Sequence, residues 1–221
     1  MSEAIATTQL EQFVQRYNDG IRDFSQMALE GADLAAIELR NIDWTAANLA
    51  KANLSGAILT EAKLSRANLR QTNLQGADLF GANLVGADLS EVNLEQADLR
   101  GADLRGATIG RANLTEADAS GADFRRTNLR GAILVRTDLE YALMRGADLR
   151  EAILVMASLF GVHFSGADLS DASLGQANLS DAELQRVNLE RAKLFGAYYS
   201  HSTVFDPGFD PISAGLRLVQ D

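Results

Sequence analysis

Cysteine is absent from this 221-residue chain, which excludes disulfides, thiolate metal sites and a cysteine nucleophile. Proline is nearly absent, and its two copies, Pro207 and Pro211, both lie near the C-terminus. The only histidines, His163 and His201, have no further His or acidic cluster at metal-ligand spacing, so both read as surface residues. No glycine-rich loop followed by Lys-Ser or Lys-Thr is present to cradle a phosphate. These absences lead to the expectation of a non-enzyme with no cofactor, no metal and no catalytic residue. No stretch approaches the roughly 20 apolar residues of a membrane span, and the opening Met-Ser-Glu-Ala-Ile-Ala-Thr-Thr has neither a basic nor an apolar segment of a secretion signal. A soluble, cytoplasmic protein is expected. Positive charge is also short: 20 Lys and Arg face 30 Asp and Glu, for a net charge of −10. That balance opposes direct binding of nucleic acid or an anionic membrane and favours a basic protein partner.

What the chain has is a hydrophobic fraction of 47%, enough to bury a core, and a period of five. From Phe24 to Val204 every fifth residue is a centre, giving 37 centres without insertion or deletion, of which 28 are Leu. The residue two before the centre is Ala in 26 of these units, as in Ala77-Asp78-Leu79-Phe80-Gly81-Ala82-Asn83-Leu84. Residues two apart on an extended segment share a side, so Ala and Leu face inward and the Asp or Asn between them faces out. A strand would keep alternating, whereas here the phase resets after five residues and the backbone must turn a corner in every unit. Thirteen of the 18 glycines lie two residues after a centre, at that corner. A helix is excluded, because a period of five sets successive leucines about 140° apart on the helical wheel.

The exceptions to Leu suggest how many corners close one coil. Phe24, Trp44, Phe124 and Phe164 are separated by 20, 80 and 40 residues, all multiples of 20. Four units per coil would stack these rings on one face, with only Tyr199, in the terminal coil, out of phase. Nine coils result, for a rod about 43 Å long at the usual strand spacing. Ala119 replaces a central Leu, and the ring of Phe124 in the next unit is expected to fill the space.

The A(D/N)LXX pattern resembles the pentapeptide-repeat family over about four fifths of the chain. The segment Gln12-Phe13-Val14-Gln15-Arg16-Tyr17-Asn18-Asp19-Gly20-Ile21-Arg22-Asp23-Phe24 is similar to that of cyanobacterial, HetL-like members. This resemblance implies an all-β solenoid, a right-handed quadrilateral parallel β-helix of about nine coils. It also implies two functions: a protein-interaction scaffold or regulator, or a DNA-mimicking inhibitor of type II topoisomerase of the Qnr and MfpA kind. Leu-dominated centres and uninterrupted coils depart from the pattern of that second branch.

A solenoid must cover its first and last coils. Residues 1–23 are expected to carry a capping helix over 8–19, with a capping box Thr8-Gln9-Leu10-Glu11 and an apolar stripe of Leu10, Phe13, Val14 and Tyr17. Residues 24–204 form the repeat and residues 205–221 the C-terminal tail. In that tail Phe205, Phe209, Ile212, Leu216, Leu218 and Val219 either fold over the last coil or form a contact between two copies in a homodimer.

Two surfaces are candidates for an unknown protein partner. The face centred on Leu39, Leu59 and Leu79 carries eight acids against two bases, including Asp78, Asp98, Asp118 and Asp138, one per coil. Either a basic protein docks on this column or it is simply a solvated face. On the face centred on Leu134 and Leu154, Ile133, Val135, Ile153, Val155 and Met156 are expected to form an exposed apolar patch. The face centred on Phe24 and Trp44 differs from the others, with seven bases against six acids.

Overall fold

The computed structural model describes residues 7–219. Its repeating element is a corner, and the unit around Leu79 shows how the backbone is satisfied there. Asp78 N donates back to Ala57 O of the preceding coil (2.9 Å), while Leu79 N and Gly81 N donate forward to Asp98 O (2.7 Å) and Arg100 O (3.0 Å). Ala82 N closes the turn on Leu79 O at 2.9 Å. The fifth donor, Phe80 N, has no backbone partner and is taken by Asp78 Oδ1 at 3.0 Å. All five N–H groups of the unit are thus paired, which buried backbone requires.

The turn places its third residue in the left-handed region. Gly81 has φ of 63°, and the same row holds non-glycine residues such as Glu61 at 56° and Ala46 at 56°. Glycine meets this demand without a Cβ penalty. Elsewhere in the row the coil-to-coil hydrogen bonds hold other residues there against their preference.

The register confirms four units per coil. Parallel bridges join Asp23 to Asp43, Asp43 to Lys63 and so on up to Asn178 and Tyr198, always 20 residues apart. Each unit contributes a single bridged residue per face, too short for a regular strand, so the solenoid is a stack of isolated bridges around a Leu and Ala core. Phe24, Trp44, Phe124 and Phe164 fall on one face, as their spacing implied, and all four are buried. Ala119 and Phe124 are both fully buried in successive units. Thr72, Thr127 and Thr137 replace Ala at the inward position, and each hydroxyl donates to a carbonyl of the preceding coil, Leu49, Leu104 and Leu114 respectively, at 2.8 Å.

Helix α1 spans Thr7–Asn18 and lies over the first coil. The expected capping box needs the side chains of Thr8 and Glu11, of which that of Thr8 lies outside the described residues. Phe13 is buried, edge-on to Phe24 at 4.7 Å and stacked on Trp44 at 6.0 Å. Leu10, Val14 and Tyr17 flank it, and Tyr17 Oη donates to Arg40 O at 3.0 Å. The helix ends in a Schellman arrangement: Ile21 N donates to Arg16 O and Gly20 N to Tyr17 O, with Gly20 at φ of 92°.

The other end corrects the sequence reading. Glu183 pairs with Val204, a step of 21, so one residue is inserted in the last coil. A tight turn absorbs it, with Thr203 N on Ser200 O (3.2 Å) and Ser200 N on Thr203 Oγ1 (2.9 Å). Thr203 therefore takes the inward Ala position, its Oγ1 donating to Leu179 O at 3.0 Å. Val204 turns outward and is exposed, and Phe205 becomes the centre, packed against Tyr199 and Phe209. The chain then returns so that β2 (Arg217–Leu218) pairs in parallel with β1 (Tyr198–Tyr199), which covers part of the last coil.

Candidate functional site

Position one before the centre decides what each face offers. Every Asp and Asn there, from Asp23 to Asn188, accepts the N–H of the residue two further on. These side chains are backbone acceptors first and surface groups second.

The four expected aspartates do form one ladder, Asp78 to Asp98 to Asp118 to Asp138. Each gives Oδ1 to its own corner, and their second oxygens differ in company. Asp78 Oδ2 accepts from Thr60 Oγ1 at 2.9 Å. Asp98 is gripped by both nitrogens of Arg100, which holds its carboxyl below the usual range against the cost of burial. Arg100 Nε also lies 3.7 Å from Asp118 Oδ2. Asp138 has no cation partner among the described residues: burial raises its pKa, with Glu140 and Asp118 adding to the rise, although the Glu140 N–H acts in the opposite direction.

The sequence reading missed the aromatic groups beside this ladder. Phe80 is exposed at its lower end, with the Arg100 guanidinium 5.5 Å above the ring. Tyr141 is 57% exposed at the upper end, edge-on to Phe160 at 5.4 Å. A Cβ on Gly161 would come within 2.8 Å of the Tyr141 ring, so that glycine makes room for it. The available signal was the aromatic residue immediately outside the inward pattern on the same face.

The apolar patch is present where expected. Ile133 and Ile153 are bridged neighbours and exposed, as is Met156, while Val135 and Val155 are half-buried. Both isoleucines occupy positions where Asp or Asn would cap the corner. The tail residues, in contrast, are divided. Leu216 is 5% exposed and belongs to the core, and Phe205 and Phe209, half-buried and stacked on each other at 4.9 Å, pack against that core as a cap does. Ile212 alone of the four stands out, at 73% exposure.

Among the described residues no helix is long and apolar enough to cross a membrane. A parallel solenoid with a 20-residue coil and Ala-Asp/Asn-Leu corners defines the class, and the family profile for pentapeptide repeats matches it in eight copies over residues 28–66, 57–96, 97–134, 134–166 and 163–197. The chain belongs to the pentapeptide repeat family. Among solved structures it is similar to HetL, involved in heterocyst differentiation regulation in the cyanobacterium Nostoc sp. strain PCC 7120, with 33% identity over 85% of this chain and 93% of that one (TM-score 0.30). Rfr23 from the cyanobacterium Cyanothece 51142 is 30% identical over 56% of this chain and 91% of its own (TM-score 0.26). QnrB1, a plasmid-mediated fluoroquinolone resistance protein, shares the fold at 19% identity over 88% and 91% of the two chains (TM-score 0.51). No protein of curated function matches significantly. Nothing in these matches indicates an enzyme family.

Proposed function

We propose that this chain is a non-catalytic protein-interaction module, a right-handed quadrilateral β-helix whose acidic face docks a basic protein surface. The observation that carries the reading is the ladder from Asp78 to Asp138 bounded by exposed Phe80 and Tyr141. Exposed aromatic anchors beside a net acidic face suit protein recognition, since rings supply contact area and charge supplies steering. Similarity to HetL, a regulator of differentiation, supports the scaffold or regulatory role. The Ile133, Val135, Ile153, Val155 and Met156 patch offers a second contact area on another face.

The alternative is DNA mimicry directed at a type II topoisomerase, which the fold shared with QnrB1 and the acidic face favour. Charge density weakens it. B-DNA carries one charge per about 1.7 Å of axis, whereas the ladder offers one acid per about 4.8 Å, and Arg100 neutralises part of it.

The test changes Asp78, Asp98, Asp118 and Asp138 together to Asn and uses both proteins as bait in a cyanobacterial lysate, with a gyrase supercoiling assay alongside. Asn keeps the Oδ1 acceptor of each corner, so the variant retains its fold. A basic partner captured by the wild type and lost by the variant supports the reading; supercoiling inhibition lost in the variant moves it to the mimic. Identical captures and no effect on gyrase overturn both and leave the Ile133–Met156 patch.

A further inference from the structure

The face centred on Phe24 and Trp44 carries a feature of opposite sign. An arginine one residue past the centre is neutralised wherever an Asp lies two residues before it: Arg105 pairs with Asp103, Arg125 with Asp123 and Arg150 with Asp148, each at 2.6 Å. Arg145 occupies the same position one coil above Arg125, but the residue two before it is Leu143. Among the described residues its guanidinium has no carboxylate partner, and neither do those of Arg126 and Arg186 on the same face.

These three groups converge on one groove. Two adjoining recesses of about 620 and 780 Å³ share Arg125, Arg145, Ser165 and Gly166. Arg126 lines one and Arg186 the other. The groove exists because the corner row lacks side chains there: a Cβ on Gly146 would reach Arg126 Cγ at 3.9 Å, and one on Gly166 would meet nothing within 4 Å. Glu183, the one carboxylate lining it among the described residues, is held by His163 Nδ1 at 2.9 Å.

We infer that this groove receives an extended acidic segment of a partner protein. It is open along the rod and not enclosed, which suits a chain better than a small molecule. Guanidinium forks match carboxylates, and Arg126, Arg145 and Arg186 are spread over three coil steps of about 4.8 Å, a reach that about four residues of an extended peptide cover. A long polyanion such as nucleic acid would extend past the groove over a chain whose net charge is −10, whereas a short acidic segment stays within the groove. This inference is independent of the acidic-face reading, which concerns a different face and the opposite charge.

The experiment measures fluorescence anisotropy of a labelled octaglutamate peptide with the full chain and with the triple variant Arg126→Gln, Arg145→Gln, Arg186→Gln. A matched control, Arg40→Gln, Arg111→Gln, Arg217→Gln, removes the same charge away from this face, and circular dichroism checks that both fold. Binding about tenfold weaker in the groove variant, with the control within about twofold of wild type, is expected. Equal loss in both variants, or no binding by the wild type, overturns the proposal. Binding of octathymidylate as tight as the peptide overturns the assignment to a carboxylate segment.

Discussion

A single side chain one before each centre has two tasks here, to close its own corner and to set the charge of the face, and substitutions separate them. Asp138 is the clearest case, because it accepts Glu140 N at 2.9 Å yet has no cation partner among the described residues. Its carboxyl pKa is raised by burial, so its contribution to stability is present below the unfolded value and lost as pH rises through the folded one. Asp138→Asn keeps the acceptor and removes the charge; it should raise the melting temperature at neutral pH, and the gain should shrink as pH falls. Asp138→Ala orphans the N–H and should be less stable than Asp138→Asn by about 1 kcal/mol in urea titrations. Asp98 behaves oppositely: Arg100 lowers its pKa, so its contribution is present above the unfolded value and lost as pH falls through the folded one. The left-handed corner gives a second pair. Relief of strain at Ala46 outweighs the added freedom of the unfolded chain, so Ala46→Gly should gain about 0.5 kcal/mol. Ala47→Gly, at the buried inward position next to it, should destabilise.

The caps differ in how far the sequence revealed them. Helix α1 was legible because its apolar stripe has the helical period, and Phe13 does fill the open end of the first coil. Phe13→Ala should cost about 3–5 kcal/mol. Trp44, the only tryptophan, touches Phe13, so a red shift of its emission in the native state would report the uncovered coil. The C-terminal insertion was hidden because Val204 is as apolar as the centre it was counted as, while Phe205 next to it is the true one. Periodicity fixes spacing but cannot place a slip of one residue between two apolar candidates. The Asp and Asn positions were legible as outward, but their bonds to the corner were not, since alternation reports direction and says nothing about which backbone donors lack a partner. The aromatic pair Tyr141 and Phe160 lies on adjacent coils about 20 residues apart, a contact that appears only once the 20-residue register brings the coils together.

Across the whole rod, sequence determines a core that accumulates coil by coil and faces that carry different charge. At the C-terminal end only Ile212 projects freely among the four tail residues expected to join two copies. If a dimer forms there, Ile212→Asp should shift sedimentation to the monomer without lowering the melting temperature, because the side chain is 73% exposed. If the proposed function holds, the acidic face binds through its charge, while each corner needs only the Oδ1 acceptor that Asn would keep. Calorimetric titration of a partner captured by the wild type, at low and high salt, tests this most directly, with the Asp78, Asp98, Asp118, Asp138→Asn variant in parallel. Wild-type affinity is expected to fall steeply with salt, and the variant to stay folded, losing only what the Arg100 pair with Asp98 contributes, but to bind weakly at either salt concentration. Salt-independent affinity, equal in the two proteins, would contradict it.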